Sequence, residues 1–140
     1  MATLRNGNYD VRMSDAVRAA DAASDGVQFS VGTSTDTTGI VTVEVSGEVD
    51  LLTAPSVGAA LTRAQSQASA VLLDLRRVGF LGSAGLSVLV DAARRADDHQ
   101  ARFAVLVTVH AVSRAIEVTG LDAALAVFAD VSSALEHLAG

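Results

Sequence analysis

The sequence predicts a single α/β domain: one mixed, mostly parallel sheet of four to five strands with helices packed against it. Three observations carry that expectation. Val71–Leu75 and Phe103–Val107 are near-continuous apolar runs, the pattern of strands buried on both faces. Helix-spaced apolar residues separate these runs, and parallel strands need such crossovers. The chain has 140 residues, half of them hydrophobic, which suits one core burying about two-thirds of the unfolded chain's surface.

Residues 1–26 read differently from the rest. Asn6, Gly7 and Asn8, small residues and scattered charges leave too few apolar side chains for a core, so this stretch is expected to be a flexible N-terminal extension. Ser14–Ala23 is alanine-rich and carries Ser14 as a cap, but a helix that short is marginal in isolation. The folded domain is expected over residues 27–140.

Phe29 and Val31 begin a short strand that ends in the polar turn Thr33–Gly39. Ile40–Val45 is β-branched, with Val41, Val43 and Val45 at period two, and predicts a strand with one buried face. Thr53, as a cap, and Pro55, in the first turn, mark a helix start; the helix runs to about Gln67 with Val57, Ala60, Leu61 and Ala64 on its stripe. Gly58 inside it costs about 0.5–1 kcal/mol relative to alanine, which suggests a close approach at that point. After the Val71–Leu75 strand, Ser83–Arg95 places Leu86, Leu89, Val90 and Ala93 at helical spacing. After the Phe103–Val107 strand, Ser113–Thr119 forms another helix, stopped by Gly120 in the left-handed closing position. Ala126–Ala129 is a short edge strand, and Asp130 caps a last helix carrying Val131, Leu135 and Leu138. The order is β-β-α-β-α-β-α-β-α.

Composition excludes several chemistries. There is no cysteine, hence no thiol nucleophile, disulfide or thiolate metal site. All ten basic residues are arginine; without lysine there is no Walker A loop and no Schiff-base chemistry. A net charge of −6, with no basic cluster beyond Arg76–Arg77 and Arg94–Arg95, argues against a nucleic-acid backbone footprint. The N-terminus has charges at Arg5, Asp10, Arg12 and Asp15 and no apolar h-region. The longest uncharged apolar-rich stretch, Val78–Val90, is well short of the roughly 20 residues of a spanning helix. A soluble cytoplasmic protein is the expectation. His99, His110 and His137 match no metal spacing and read as surface or helix-end residues, so no metal or cofactor is expected.

Two segments draw attention. In Gly47-Glu48-Val49-Asp50 two carboxylates follow a strand; Asp50 either organises the turn into the next helix or faces a ligand or partner at the mouth of the sheet. Phe80-Leu81-Gly82-Ser83-Ala84-Gly85-Leu86 joins a strand to an apolar helix. It is not a nucleophile elbow, because position 81 is leucine, and the glycines at 79, 82 and 85 do not make GxGxxG. A serine hydrolase would also need a base that no histidine is placed to supply. What remains is Ser83 at a helix N-terminus among small neighbours, either as a cap worth about 1 kcal/mol or as an exposed hydroxyl.

Val43–Ala54 (VEVSGEVDLLTA), Leu72–Leu86 (LLDLRRVGFLGSAGL) and Ile116–Leu121 (IEVTGL) resemble the STAS domain of bacterial anti-sigma factor antagonists over roughly residues 28–138. The resemblance implies the STAS fold and a regulatory switch rather than an enzyme. Family members bind an anti-sigma factor that is itself a serine kinase, freeing the sigma factor for transcription. The kinase phosphorylates the serine opening the helix, here Ser83; the phosphorylated antagonist lets go, and a serine phosphatase resets the cycle. By the same resemblance the partner surface comprises Asp50, Thr53, Gly82, Ser83, Ala84 and Gly85. Gly82 stands where many phosphorylated members carry aspartate, and Ala84 where others have a second serine. The alternative keeps the fold without phosphorylation: a STAS protein-interaction module in a signalling or transport-associated assembly. Arg76 and Arg77 either contact an acidic kinase surface or form a solvated strand end.

Overall fold

The computed structural model describes residues 29–140. The expected extension and the Ser14–Ala23 turns lie outside the described residues. The elements are β1 (Ser30–Thr35), β2 (Val41–Val49), α1 (Ala54–Gln67), β3 (Ala70–Leu81), α2 (Ser83–Asp98), β4 (Arg102–Leu106), α3 (His110–Val118), a 3-10 turn (Leu121–Ala123), β5 (Ala126–Phe128) and α4 (Val131–Ala139). This is the expected order. The five strands form one sheet in sequence order, β1-β2-β3-β4-β5, with β1 antiparallel to β2 and the rest parallel.

Side-chain alternation divides the core between the two faces of the sheet. On one face Val43, Val45, Leu73, Leu75 and Val105 pack with Val57 and Leu61 of α1, Leu89 of α2, and Val112 and Ile116 of α3. The other face carries a smaller cluster, where Ile40, Leu72, Ala104 and Leu106 meet Ala134 and Leu138 of α4. Because β3 and β4 contribute to both clusters, their sequences are apolar almost throughout. Among their buried residues Asp74 is the exception. It is buried among the strand residues, and its carboxylate accepts from Arg76 Nε at 3.1 Å, Arg76 Nη2 at 2.9 Å and the Arg76 amide at 3.0 Å. Burial pushes the Asp74 carboxyl up, but these bonds to Arg76 outweigh it and hold the group below its ordinary value. Arg76 is therefore committed to Asp74 rather than left as a free strand-end charge.

β3 is 12 residues long, well beyond the Val71–Leu75 run, and it bulges twice against β2. Glu44 and Ser46 pair with Asp74 and Arg77, and Gly47 and Glu48 with Val78 and Phe80, so each step leaves one extra residue on β3. The extra residues break the in-out alternation: Arg76 and Arg77 are both exposed, then Gly79 and Phe80 are both exposed, and Leu81 returns to the core. Gly47, at φ 107°, supplies the left-handed backbone at the second irregularity.

Several local expectations need correction. Thr53 occupies the cap position of α1 but makes no side-chain cap bond, because its hydroxyl turns back toward β2. On α2 the buried residues are Gly85, Leu89, Ala92 and Ala96, whereas Leu86, Val90 and Ala93 are only half-buried. Small side chains occupy the seam because the helix lies close to the sheet and to α1. α3 begins at His110 rather than Ser113, behind Val109, which has no side-chain acceptor to signal a start. In α4 the buried pair is Ala134 and Leu138, and Val131 is exposed. An added Cβ at Gly58 would sit 3.6 Å from Val88 Cγ2, an ordinary contact, so that position does not require glycine. Two expectations hold in detail: Gly120 is left-handed at φ 75°, and the Asp130 carboxylate accepts from the Ser133 amide at 2.8 Å.

Candidate functional site

The carboxyl ends of β2 and β3 lie side by side, and the chain leaves each through a tight connection. Val49 pairs with Leu81, and the Gly82 amide donates to the Val49 carbonyl at 2.9 Å. This bond ties the loop after β2 to the residue preceding Ser83. Asp50 and Ser83 thus emerge at the same corner of the sheet.

The first connection, Asp50–Thr53, is locked by reciprocal bonds. Asp50 Oδ1 accepts from the Leu52 amide at 3.0 Å and the Thr53 amide at 3.1 Å. The Thr53 hydroxyl accepts from the Asp50 amide at 2.9 Å and donates to the Glu48 carbonyl at 2.7 Å. The amides of Thr53 and Leu52 hold the Asp50 carboxyl below its ordinary value, overriding the opposing effect of burial. The turn-organising role of Asp50 is therefore real, and it places Asp50 and Thr53 at the base of the site. Glu48 is exposed beside them.

The second connection opens α2. Gly82, not Ser83, is the N-cap: its backbone is extended at φ −87° and ψ −178°, and its carbonyl accepts from the Leu86 amide at 3.0 Å. Ser83 is the first helical residue and is exposed. No hydrogen bond holds its hydroxyl among the described residues, and α2 has no side-chain cap. The capping role considered for Ser83 is thereby replaced by a free hydroxyl. The amides of Ser83, Ala84 and Gly85 have no carbonyl four residues back within the helix, so the positive end of α2 surrounds this hydroxyl. No acidic residue occupies the first turn to neutralise it.

Gly85, expected on the partner surface, is instead buried beneath this turn. A Cβ there would meet Leu81 Cδ1 at 2.5 Å and Val49 Cγ1 at 2.8 Å, so glycine is what lets α2 sit down on the strand ends. Ala84 is half-buried above it. At Gly82 a Cβ would lie 3.1 Å from Phe80 Cε2, which places the Phe80 ring against the N-cap.

Sequence reasoning passed over three residues here. Leu51 is 78% exposed, Leu52 85% and Phe80 49%. They flank the Val49–Gly82 bond that defines the Ser83 corner, Leu51 and Leu52 just after Val49 and Phe80 just before Gly82, on a surface where large apolar side chains are otherwise scarce. The available signal was positional: two leucines fall inside a turn, between the end of a strand and Pro55, where no core element can use them.

Among the described residues, no group of three or more His, Asp or Glu side chains could hold a metal ion. His99 caps α2, His110 opens α3, and His137 lies in the last turn of α4, as helix-end residues should. No helix among the described residues is long and apolar enough to cross a membrane.

Residues 33–134 match the family model described as the STAS domain. The chain is 29% identical over 106 residues to the anti-sigma-F factor antagonist RsfB of Mycobacterium tuberculosis, covering 75% of this chain and 86% of the relative. It is similar to the crystal structure of an anti-sigma factor antagonist from Mycobacterium paratuberculosis, with a TM-score of 0.74 and 30% identity over 81% of this chain and 96% of the other. SpoIIAA of Bacillus, solved in its unphosphorylated form, shares the fold at a TM-score of 0.65 and 18% identity, covering 79% of this chain and 97% of its own. Matched along most of its length by the family model, the chain belongs to the STAS domain family.

Proposed function

We propose that the protein is an anti-sigma factor antagonist. It binds an anti-sigma factor serine kinase through the corner formed by Asp50–Thr53 and Gly82–Ala84, and it is switched off by phosphorylation of Ser83. A serine phosphatase restores the active form. The names of the mycobacterial relatives support the antagonist role. The observation that carries the switch is the Ser83 hydroxyl, exposed and unbonded at the first position of α2.

The energetics suit a reversible switch. A phosphate on Ser83 adds about −1.5 to −2 charge. The α2 N-terminus stabilises it by about 0.3–1 kcal/mol, so the modified domain stays folded. At an interface built for a neutral hydroxyl, the same charge buried without a partner costs about 2–5 kcal/mol. That corresponds to a ~30- to several-thousand-fold loss of affinity. The protein's own chemistry is confined to presenting a hydroxyl, and the phosphoryl transfer belongs to the partner.

The test is phosphorylation by purified anti-sigma factor kinases with Mg-ATP, read by intact mass. Wild type gains one phosphate, Ser83→Ala gains none, and Ser83→Glu binds the kinase more weakly. Undiminished phosphate uptake by Ser83→Ala would refute the site. A second reading rests on Gly82, which removes the carboxylate that many phosphorylated family members carry there: a constitutive interaction module, signalled by a stable complex that no kinase modifies.

A further inference from the structure

We infer that Leu51 and Leu52 are the anchors by which the anti-sigma factor holds this protein, with the Phe80 ring as the third wall of the contact. This deepens the proposed function and rests on it. The two leucines are the most exposed large apolar side chains among the described residues, at 78% and 85%, and they are consecutive. No described residue packs on them: Val49 before them and Ala54 after them enter the core, while the intervening pair is exposed.

Their exposure is held in place rather than left to a loose loop. The Leu52 amide is bonded to Asp50 Oδ1, the Asp50 amide to the Thr53 hydroxyl, and that hydroxyl to the Glu48 carbonyl. A turn fixed from both sides pays less ordering entropy when a partner covers it. The position also specifies the occupant. Through the Gly82–Val49 bond the leucine turn abuts the α2 N-terminus, so a protein that closes around Ser83 must also cover Leu51, Leu52 and Phe80. Such a partner presents an apolar recess beside its recognition site for the serine. Apolar surface that a partner removes from water contributes to affinity in proportion to its area, and two largely exposed leucines offer much of it. The turn then supplies affinity, and Ser83 supplies only the switch.

The experiment titrates the anti-sigma factors of the host organism, purified one by one, against wild type, the double variant Leu51→Ser/Leu52→Ser, and Gln67→Ser by calorimetry. Gln67 is exposed at the end of α1 remote from this corner and serves as the control. Since both leucines are solvent-exposed, the double variant should keep the wild-type Tm. The expected result is a loss of affinity of at least about tenfold in the double variant, with wild-type binding by Gln67→Ser. A smaller loss in the double variant, or an equal loss in the control, overturns the inference and leaves the antagonist role standing. Failure of wild type to bind any anti-sigma factor overturns the antagonist role and this inference with it.

Discussion

Two glycines lie inside helices of this domain, and replacing each by alanine should move stability in opposite directions. At Gly85 the new methyl would sit 2.5 Å from Leu81 Cδ1 and 2.8 Å from Val49 Cγ1, far inside normal contact. Neither neighbour can leave freely, since Val49 and Leu81 are both buried at the paired ends of β2 and β3. Overpacking of this kind costs about 1–3 kcal/mol. Improved helix propensity returns less than ~1 kcal/mol, because Gly85 lies in the first turn, where the helix is least regular. The net expectation is a loss of about 1–2 kcal/mol, or roughly 5–10 °C in Tm for a domain of this size. At Gly58 the corresponding methyl makes only ordinary contact with Val88, so propensity dominates and alanine stabilises by about 0.5–1 kcal/mol. Urea unfolding measures both, and the slope should stay unchanged while the midpoints shift apart. A cycle with Leu81→Ala isolates the clash: removing Cδ1 should relieve much of the Gly85→Ala cost, giving a coupling of about 1–2 kcal/mol. If Gly85→Ala equals or exceeds wild type in stability, the close approach of α2 to the strand ends is not what fixes the Ser83 corner.

Two further outcomes follow from backbone and charge. Gln100 is left-handed at φ 54° and closes α2 in a Schellman arrangement, with the Ala101 amide on the Ala96 carbonyl at 2.8 Å and the Gln100 amide on Asp97 at 3.1 Å; Gln100→Gly should stabilise by about 0.5–1 kcal/mol in thermal unfolding. For Asp74 the folded carboxyl lies below its unfolded value of 3.8, so its pairing stabilises fully above that value and is lost as pH falls through the folded value. Arg76→Ala leaves the buried carboxylate without its side-chain partner and costs about 1–3 kcal/mol near neutrality. Burial then raises the Asp74 carboxyl instead, so the stability gap to wild type should narrow as pH drops below about 4. A gap that widens in acid would refute this account.

The order of elements was legible because each depends on a coarse pattern. Val41, Val43 and Val45 alternate, Val71–Leu75 and Phe103–Val107 do not, and helix-spaced segments separate them; those contrasts suffice to distinguish a half-covered strand from a central one. The helix seams were not legible, because the rule seeks large apolar residues where the structure uses small ones. α2 buries Gly85, Ala92 and Ala96 and leaves Leu86 and Val90 at the margin, since proximity to the sheet, which a sequence does not display, selects the small side chains. The bulges of β3 are hidden for a similar reason. They depend on pairing with β2, and only the pairing turns Phe80 outward.

The site itself was half legible, and the missing half changes how the proposed switch would operate. Reading Ser83 as a helix cap would set two uses of one hydroxyl against each other, because phosphorylation would then remove a bond that holds α2. With Gly82 as the N-cap, no such conflict arises: the helix starts without the Ser83 side chain, and phosphorylation there would break none of the backbone bonds of the corner. The apolar residues around it follow the same division. Leu51 and Leu52 contribute no bond to the fold through their side chains, and Asp50 and Thr53 hold their turn without them. The exposed side chains at this corner, Ser83, Leu51 and Leu52, are therefore free of structural duty. The residues that do carry it are the half-buried Asp50 and Thr53 and, beneath the surface, Gly85, Val49 and Leu81. A surface built this way could gain or lose a charge at Ser83 with little change in folding stability, so in the proposed switch the free energy of phosphorylation would appear almost wholly in binding.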